Sequence, residues 1–566
     1  MPASQDDAVV DAASSGEGSA LDLIRDSTWV QILLFVAVYR FLARFYFPLS
    51  RRPFEAYETA SPFADFFASV GGWFLVLAPI LLFASFWRRL SWQAIDGRCR
   101  TRILMMIPAG VLTWSIATMP YNYFFDQAYL WDRLILVGLL VAAWRHPLFM
   151  APLLLANLAF GTQVELPMVD GTWTWVDKDL PIDAVILFVA YLVVRVLVGR
   201  PRPWLFAFGI LCLTGGLYWN AALSKMSLGP TPWTWLLETE ISNLLIHTYL
   251  GIDFLGFLSL ETIEWLGAFL GRFDVLMGLG TLLIEASGLV IVVRRRLTVA
   301  VLIAFVALHI GIVAASGIFF WKWILLDLGL AWYVLRLQDD GALDDPPTPA
   351  RARALEASQL LRRLRPSGLY SPSTVVLGIV LVAMIRTWSF PVPFAWYDSR
   401  YVNFFVLTGV GPEGERHRLD GRVFAPYDIL MSQSRFFYAT SSPILVDTLG
   451  SSYDLETVRE LKTADADSID ELRLRRGWNY RDRRATRRFL AFVDRWMTNA
   501  QTSTPPLGGF WRHLHPPFHF RSTRPVDVWT LDAPVETVEV ELVEYFWTRE
   551  EVVPVAWQRV TEIDLD

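Results

Sequence analysis

Residues 203–226 read PWLFAFGILCLTGGLYWNAALSKM, a nearly unbroken apolar run that closes on a lysine. An α-helix needs about 20 such residues to cross the hydrocarbon core of a bilayer. The rest of the chain resembles this stretch, because hydrophobic residues make up 54% of its 566 positions, with 25 Trp and 38 Phe. This composition predicts a protein that is surrounded largely by lipid.

Apolar segments continue from residue 28 to residue 390, so the predicted fold class is mainly α, a polytopic transmembrane helical bundle. About ten helices are expected, at 28–47, 66–87, 103–119, 129–144, 182–199, 203–224, 273–293, 298–316, 317–336 and 373–390. A shorter stretch, 147–161, predicts a re-entrant or tilted helix. Segment 225–272 is too polar for two spans and too apolar for an exposed loop, which favours interfacial helices.

Arginine-rich loops orient the bundle, because cytoplasmic loops carry an excess of positive charge. They predict a cell inner-membrane protein with a cytoplasmic N-terminus and an extracytoplasmic C-terminal cap of mixed α/β structure. The predicted divisions are a disordered cytoplasmic tail (1–26), the bundle (27–336), a cytoplasmic linker (337–372), the final transmembrane helix (373–390) and the cap (391–566).

Several classes of function find no support in the sequence. A net charge of -6 gives no case for nucleic-acid binding. Two distant cysteines, Cys99 and Cys212, suggest no disulfide framework. Phosphate loops, dinucleotide fingerprints and the common hydrolase motifs are absent.

The lysines point to proton chemistry. Only four of the 50 basic residues are lysine, and Lys225 and Lys322 lie at ends of apolar runs. Lysine, unlike arginine, loses its proton readily when it is desolvated. We therefore predict Lys225 as a general base, assisted by His309, which would bond a developing oxyanion or share the proton. The supporting polar residues are Lys322, Glu285, Asp327 and Asn220.

Structural roles compete with these assignments. The lysines would also suit snorkelling to lipid headgroups. Glu285 and Asp327 would also suit buried pairs with a cation, and His309 a bond to a backbone carbonyl.

Aromatic residues near these groups would suit a planar lipophilic ring. The predicted wall residues are Tyr218, Trp219, Phe320 and Trp321. The competing interpretation is the aromatic belt of an ordinary membrane protein. His513, His515 and His519 have a metal-like spacing, but two prolines and the lack of a nearby acid or cysteine argue against a metal, and none is predicted.

Two blocks carry a family resemblance, LTGGLYWNAALSKMSLGPTPW (213–233) and HIGIVAASGIFFWKWILLDL (309–328). They are similar to segments of the vitamin K-dependent gamma-carboxylase family, the horizontally transferred transmembrane (HTTM) group. The match implies a lysine base at Lys225, a histidine at His309 and a reduced quinone of the vitamin K type as cofactor. It further implies a carboxylase or epoxidase-like lyase. The second block departs from the family where a proline commonly follows the Phe.

Three functions remain open on the sequence. The first is a quinol-dependent membrane enzyme. The second is a non-enzymatic scaffold or assembly factor, whose external domain binds a secreted or membrane protein partner. The third is a transporter with Glu285, Asp327 and Lys322 as a charge relay. The transporter is least favoured, because the sequence shows no internal repeat.

Overall fold

The computed structural model of the protein describes most of the chain. The described residues are 27–49, 86–119, 129–164, 178–199, 201–202, 204–337, 368–419, 437–479, 481–502, 513–522 and 534–565. The predicted tail 1–26, nearly all of the predicted span 66–87 and most of the predicted linker 337–372 lie outside them.

Helices dominate the described residues up to 390. The first group comprises α1 (Thr28–Leu49), α2 (Trp92–Ile95), α3 (Arg100–Ala117), α4 (Leu130–Arg145), α5 (Met150–Val164), α6 (Asp179–Val198) and α7 (Leu205–Met226), with a 3-10 turn at Pro147–Phe149. The second comprises α8 (Thr234–Glu238), α9 (Asn243–Ile252), α10 (Leu260–Gly271), α11 (Asp274–Ala286), α12 (Arg295–Ser316), α13 (Trp321–Arg336), α14 (Pro372–Ala383) and α15 (Ile385–Trp388), with a 3-10 turn at Ser287–Val290.

Four described helices, α1, α6, α7 and α12, are long and apolar enough to cross a bilayer. A fifth crossing results if α10 and the segment Asp274–Val290, which meet at 66°, form one broken span. Other predicted spans correspond to shorter helices, such as α4 and α13 with 16 residues each. The chain thus has the helices of a membrane protein, and the count of ten stays a prediction.

Helices α6 and α7 are the most buried of the four candidate spans. Their spanning windows are 78% and 83% buried inside the protein, against 33% for α1 and α12. A helix that is hydrophobic on all sides belongs in the centre of a fold, with the helices that bury one face around it. The polar side chains of α7 are therefore shielded from lipid by neighbouring helices.

Close backbone contact joins α7 to the turn that follows α11. A Cβ atom added at Gly215 would lie 2.6 Å from the Gly288 carbonyl oxygen, and one at Gly288 would collide with the Gly215 carbonyl. Small residues allow membrane helices to approach this closely, which gains packing where no hydrophobic force drives association. The contact brings α11 against α7.

The segment predicted to form interfacial helices contains three short ones, α8, α9 and α10. Exposed aromatic residues lie along the last of them, and Trp265 is 63% exposed. The shorter predicted helix at 147–161 is present as the Pro147–Phe149 turn followed by α5.

The C-terminal region forms a small antiparallel sheet with helices. Its strands are β1 (Tyr397–Asp398), β2 (Tyr401–Val410), β3 (Arg416–Leu419), β4 (Ser451–Ser452), β5 (Thr537–Trp547) and β6 (Val552–Asp564), and its helices are α16 (Leu455–Thr463), α17 (Ile469–Arg476) and α18 (Arg483–Thr502). The larger sheet has the order β3-β2-β5-β6, and β1 pairs with β4. We call this region, residues 391–565, the cap.

The cap and the bundle share a hydrophobic core. Phe489 and Trp496 of α18 pack against Val540 of β5, and the same cluster contains Ile116 of α3 and Leu136 of α4. The apolar face of α18 recurs at helical spacing, as a half-buried helix requires. The cap is therefore fixed over one end of the bundle.

Candidate functional site

Lys225 and Glu285 form a buried ion pair between α7 and α11. Lys225 Nζ donates to both carboxylate oxygens of Glu285, at 2.6 and 2.8 Å. The two residues are 8% and 7% exposed, and the ammonium lies 5.5 Å from the centre of the Trp235 ring. Lys225 does not snorkel to the membrane surface. Glu285 therefore forms a buried pair with a cation, which is the structural role that competes with a catalytic one.

The opposite side of α7 binds an arginine. Arg386 of α15 donates to Asn220 Oδ1 at 2.6 Å and to Ser224 Oγ at 2.8 Å. Asn220 Nδ2 donates to the Val392 carbonyl oxygen at 2.8 Å. Asn220 therefore links the last bundle helix to the chain entering the cap, and it does not contact Lys225 or His309.

His309 belongs to a second buried group on α7. Tyr218 Oη lies 2.7 Å from His309 Nε2 and 2.6 Å from Asp327 Oδ2. All three side chains are buried, and Asp327 has no exposed surface. Helices α7, α12 and α13 each contribute one member, so the group exists only when the three helices are packed.

Counting protons assigns the roles in this group. A phenol has one hydrogen to donate. If Tyr218 donates to Asp327, then His309 Nε2 carries a hydrogen and donates to Tyr218 Oη. His309 Nδ1 is then a bare acceptor, and neither it nor Asp327 Oδ1 has a hydrogen-bond partner in the described part of the chain. Buried polar atoms without partners are rare and call for an explanation, such as a ligand.

Aromatic rings surround the imidazole. Phe305 stacks on Tyr218 with centroids 3.4 Å apart. The His309 ring lies 4.9 Å from Phe320 and 5.7 Å from Trp323. Trp323 Nε1 also lacks a partner among the described residues. The side chains around the imidazole therefore supply an acceptor, a donor and flat apolar rings, the chemical features of a site for a small lipophilic ligand. We call Tyr218, Phe305, His309, Phe320 and Trp323 the His309 site.

The four aromatic residues that were predicted to form one wall lie at different places. Tyr218 and Phe320 contact His309, as expected for members of one site. Trp321 instead donates to the Pro517 carbonyl oxygen at 2.9 Å. Trp219 packs on the side of α7 that holds Trp235 and Leu282.

Lys225 and His309 belong to separate hydrogen-bonded groups. Tyr218 and Lys225 are seven residues apart, so they lie on the same face of α7, roughly 10 Å apart along the helix axis. Glu285 is still close enough to act electrostatically on Tyr218. One face of α7 thus carries two buried groups that hold exchangeable protons. Tyr218 belongs to the first, and Lys225, about two turns further along, belongs to the second.

Lys322 lies among other basic groups at the cap end of the bundle. Burial is the main cause that lowers the pKa of Lys178 well below its usual value, and the charge of Lys322 is the second. Burial, followed by the same charge, lowers the pKa of His515 to about 3. His515 Nδ1 lies 3.2 Å from the Thr118 carbonyl oxygen. Lys322 therefore lies close to Lys178 and His515, in a cluster that the sequence did not predict.

The three cap histidines do not converge. His519 contacts Phe320 with ring centroids 4.6 Å apart, whereas His515 lies at the end of α3. Within the described residues no group of three His, Cys, Asp or Glu side chains is arranged to hold a metal ion. His519 is instead a cap residue that packs on Phe320, one of the rings around His309.

A group of four charged side chains joins the cap to the end of the bundle. Arg400 donates to both oxygens of Glu240, at 2.9 and 3.0 Å. Arg549 bridges Glu240 and Asp274, at 2.9 and 3.1 Å. Burial alone would raise the pKa of Glu240, but Arg400 and Arg549 outweigh it and hold that pKa below its usual range. We call Glu240, Asp274, Arg400 and Arg549 the clasp.

Asp398 lies beside the clasp without a salt bridge. It accepts from Trp396 Nε1 at 3.0 Å and from Thr239 Oγ1 at 3.1 Å. Burial raises its pKa to about 7, more than these two bonds and the distant charge of Lys225 lower it. Asp398 therefore titrates near neutral pH at the junction between cap and bundle.

Sequence reasoning missed several of these partners. Asp183 lies inside the apolar run of α6 and accepts a hydrogen bond from Tyr39 at 2.8 Å. An acid in such a run is a signal that sequence inspection alone could have used. The hydrogen-bonding role of Tyr218 and the contribution of His519 had no comparable signal, because their partners are distant along the chain.

Comparison with known proteins adds no assignment. No family model, curated protein or solved structure matches the chain significantly. The likeness to the gamma-carboxylase family stays a prediction from the two quoted blocks.

Proposed function

We propose that the protein is an integral membrane enzyme that takes a proton from a lipophilic hydroquinone-type ligand at the His309 site. The observation that carries this proposal is the buried chain from Asp327 through Tyr218 to His309, whose Nδ1 has no hydrogen-bond partner among the described residues. A positioned base oriented by a second hydrogen-bonding group is the usual arrangement for general base catalysis.

Proton transfer from His309 through Tyr218 to Asp327 conserves the total charge. His309 Nδ1 accepts the ligand proton, Nε2 passes its hydrogen to Tyr218, and Tyr218 passes its own to Asp327. The group begins with a buried carboxylate and ends neutral, while the negative charge moves to the ligand oxygen. The total charge of the side chains and the ligand stays the same, so no second charge has to be buried, and Trp323 Nε1 would be a donor at the His309 site for the new anion.

The role of Lys225 changes under this proposal. Its ammonium is engaged by both oxygens of Glu285, so His309 replaces it as the proton acceptor. We propose that the ion pair maintains the packing of α7 on α11 and the electrostatic potential along the shared face. The resemblance supports a reduced quinone as cofactor and carboxylation or epoxidation as the subsequent chemistry.

The membrane arrangement is part of the proposal. We propose about ten spans in the cell inner membrane, with the N-terminus cytoplasmic and the cap extracytoplasmic. The arginine-rich loops of the sequence support this orientation.

Quinone binding and turnover test the enzyme directly. Wild-type protein is purified from membranes, its quinones are identified by mass spectrometry, and oxidation of added quinol is followed by absorbance. We expect His309→Gln and Tyr218→Phe to retain quinone and to lose turnover by about 100-fold or more. His513→Gln, at an exposed cap histidine, is the matched control and should retain turnover.

Either of two outcomes would overturn the proposal. One is wild-type protein that binds no quinone, and the other is His309→Gln protein with wild-type turnover.

The second candidate function is a scaffold whose cap binds a secreted or membrane protein. Exposed arginines at the start of α18 favour it, and they are Arg483, Arg484 and Arg487. An acidic partner would complement this surface. Capture of such a partner by protein that lacks quinol turnover would favour the scaffold.

A further inference from the structure

A groove lies where the cap meets the end of α12. Its lining residues are Phe254, Phe257, Val313, Arg521 and Ser522, and its volume is about 450 Å³. Ligand pockets in proteins typically have volumes of about 300–1,000 Å³. Three of the five lining side chains are apolar, and the cap residue Arg521 supplies the positive charge.

Backbone pairing holds this groove in place. Ile318 and Phe520 form an antiparallel bridge, and the Arg521 amide donates to the Gly317 carbonyl oxygen at 3.1 Å. Gly317 has a φ of 70°, a conformation that L-residues rarely adopt. The Phe254 ring occupies the space that a Cβ at Gly317 would need, with the nearest atom at 2.6 Å. The groove is therefore built, rather than a chance gap between mobile side chains.

The groove lies at the end of a candidate membrane span. Val313 lies just before the end of the candidate span Arg295–Ser316. Phe257 is 70% exposed, and α10, which follows it, exposes Trp265 stacked on Phe269. Exposed aromatic residues of this kind mark the boundary between hydrocarbon and headgroups.

The groove combines an apolar lining with one positive charge. Phe254, Phe257 and Val313 are the apolar residues, and the guanidinium carbon of the exposed Arg521 lies 5.5 Å from the centre of the Phe319 ring. None of the described residues that line the groove is acidic. A guanidinium binds phosphate through paired hydrogen bonds, and apolar walls below it suit an acyl chain.

We propose that this groove is a binding site for an anionic phospholipid, with the phosphate on Arg521 and one acyl chain along Phe254, Phe257 and Val313. The site is separate from the quinol chemistry and does not depend on it. Val313 is one turn from His309 on α12, so a bound lipid would lie next to the His309 site.

Native mass spectrometry tests the site with the full chain. The protein is released from nanodiscs of phosphatidylcholine, alone or mixed with phosphatidylglycerol, and retained lipids are counted. We expect wild-type protein to retain phosphatidylglycerol preferentially. Arg521→Gln should reduce that retention roughly tenfold, as expected for loss of a charged hydrogen bond. Arg481→Gln, at another exposed cap arginine, is the matched control.

Further variants separate the parts of the site. Arg521→Lys should retain part of the preference, and Val313→Trp should fill the groove and exclude lipid even if Arg521 is intact. Soluble glycerol phosphate should not displace the lipid, because it lacks the chain. Equal retention of both lipids by wild-type protein, or undiminished phosphatidylglycerol in Arg521→Gln or Val313→Trp protein, would overturn the proposal.

Discussion

The pair formed by Lys225 and Glu285 gives the sharpest quantitative prediction. Removing one member of a buried ion pair leaves an uncompensated charge and costs about 3–5 kcal/mol. Lys225→Met should therefore destabilise the protein by about 3 kcal/mol, the lower end, because the pair retains slight exposure at the end of α7. Glu285→Leu should have a similar effect for the same reason.

The double variant distinguishes charge from packing. Replacing both members by apolar residues of similar volume is often neutral or stabilising. We expect Lys225→Met combined with Glu285→Leu to recover most of the stability that each single variant loses. With single losses of about 3 kcal/mol each and a double variant that loses about 1 kcal/mol or less, the interaction free energy of the cycle should be about 5 kcal/mol in magnitude.

Thermal unfolding in nanodiscs, followed by tryptophan fluorescence, measures this cycle. A loss of about 3 kcal/mol should lower the Tm by roughly 2–3 °C, since the entropy of unfolding grows with chain length and the shift per kcal/mol falls accordingly. The matched control is Lys462→Met, which breaks the more exposed pair between Lys462 of the cap and Glu238 of α8, 3.1 Å apart. Such partly exposed pairs contribute about 1 kcal/mol or less.

Two results would refute this reasoning. A double variant as unstable as the sum of the single variants would mean that packing, not charge pairing, holds α7 to α11. Single variants no less stable than Lys462→Met would mean that the pair is effectively hydrated.

Three further predictions concern the junction and the helix contact. The pKa of Asp398 is raised from 3.8 to about 7, so the folded state keeps its proton longer than the unfolded state, and stability should fall as pH rises between these values. Asp398→Asn should remove that dependence in Tm measured against pH, and an unchanged profile would contradict it. Arg400→Ala should loosen the clasp and speed limited proteolysis of the cap, because Glu240 loses two hydrogen bonds; an unchanged cleavage rate would exclude this role. Gly288→Ala should cost about 1–3 kcal/mol through overpacking against Gly215. Gly280→Ala, where nothing lies within 4 Å of the added Cβ, should leave the Tm nearly unchanged, and equal shifts for the two would disprove the contact.

Much of the helical architecture is predictable from the sequence. The apolar run at 203–224 corresponds to α7 and the run at 298–316 to α12, because a long apolar segment satisfies its backbone hydrogen bonds only within itself. Interfacial helices in 225–272 follow from mixed polarity, and the alternating run of β5 predicts a strand. Local pattern determines these elements, so sequence inspection finds them.

The grouping of the site residues is a different matter. The sequence singles out Lys225, Glu285, His309 and Asp327, since ionisable groups in apolar runs are costly. It does not reveal that Lys225 pairs with Glu285 across 60 positions, or that Tyr218 reaches Asp327 across 109. Those distances depend on how helices cross, which many side-chain contacts decide together.

The sequence by itself determined that this chain forms apolar helices and that a few buried polar groups lie within them. Only the tertiary structure decided which of those groups act together. It gave Lys225 a counter-ion and left His309 Nδ1 without a hydrogen-bond partner among the described residues. The physical reason is that burial and pairing depend on surroundings, and the surroundings of a side chain are supplied by segments distant along the chain.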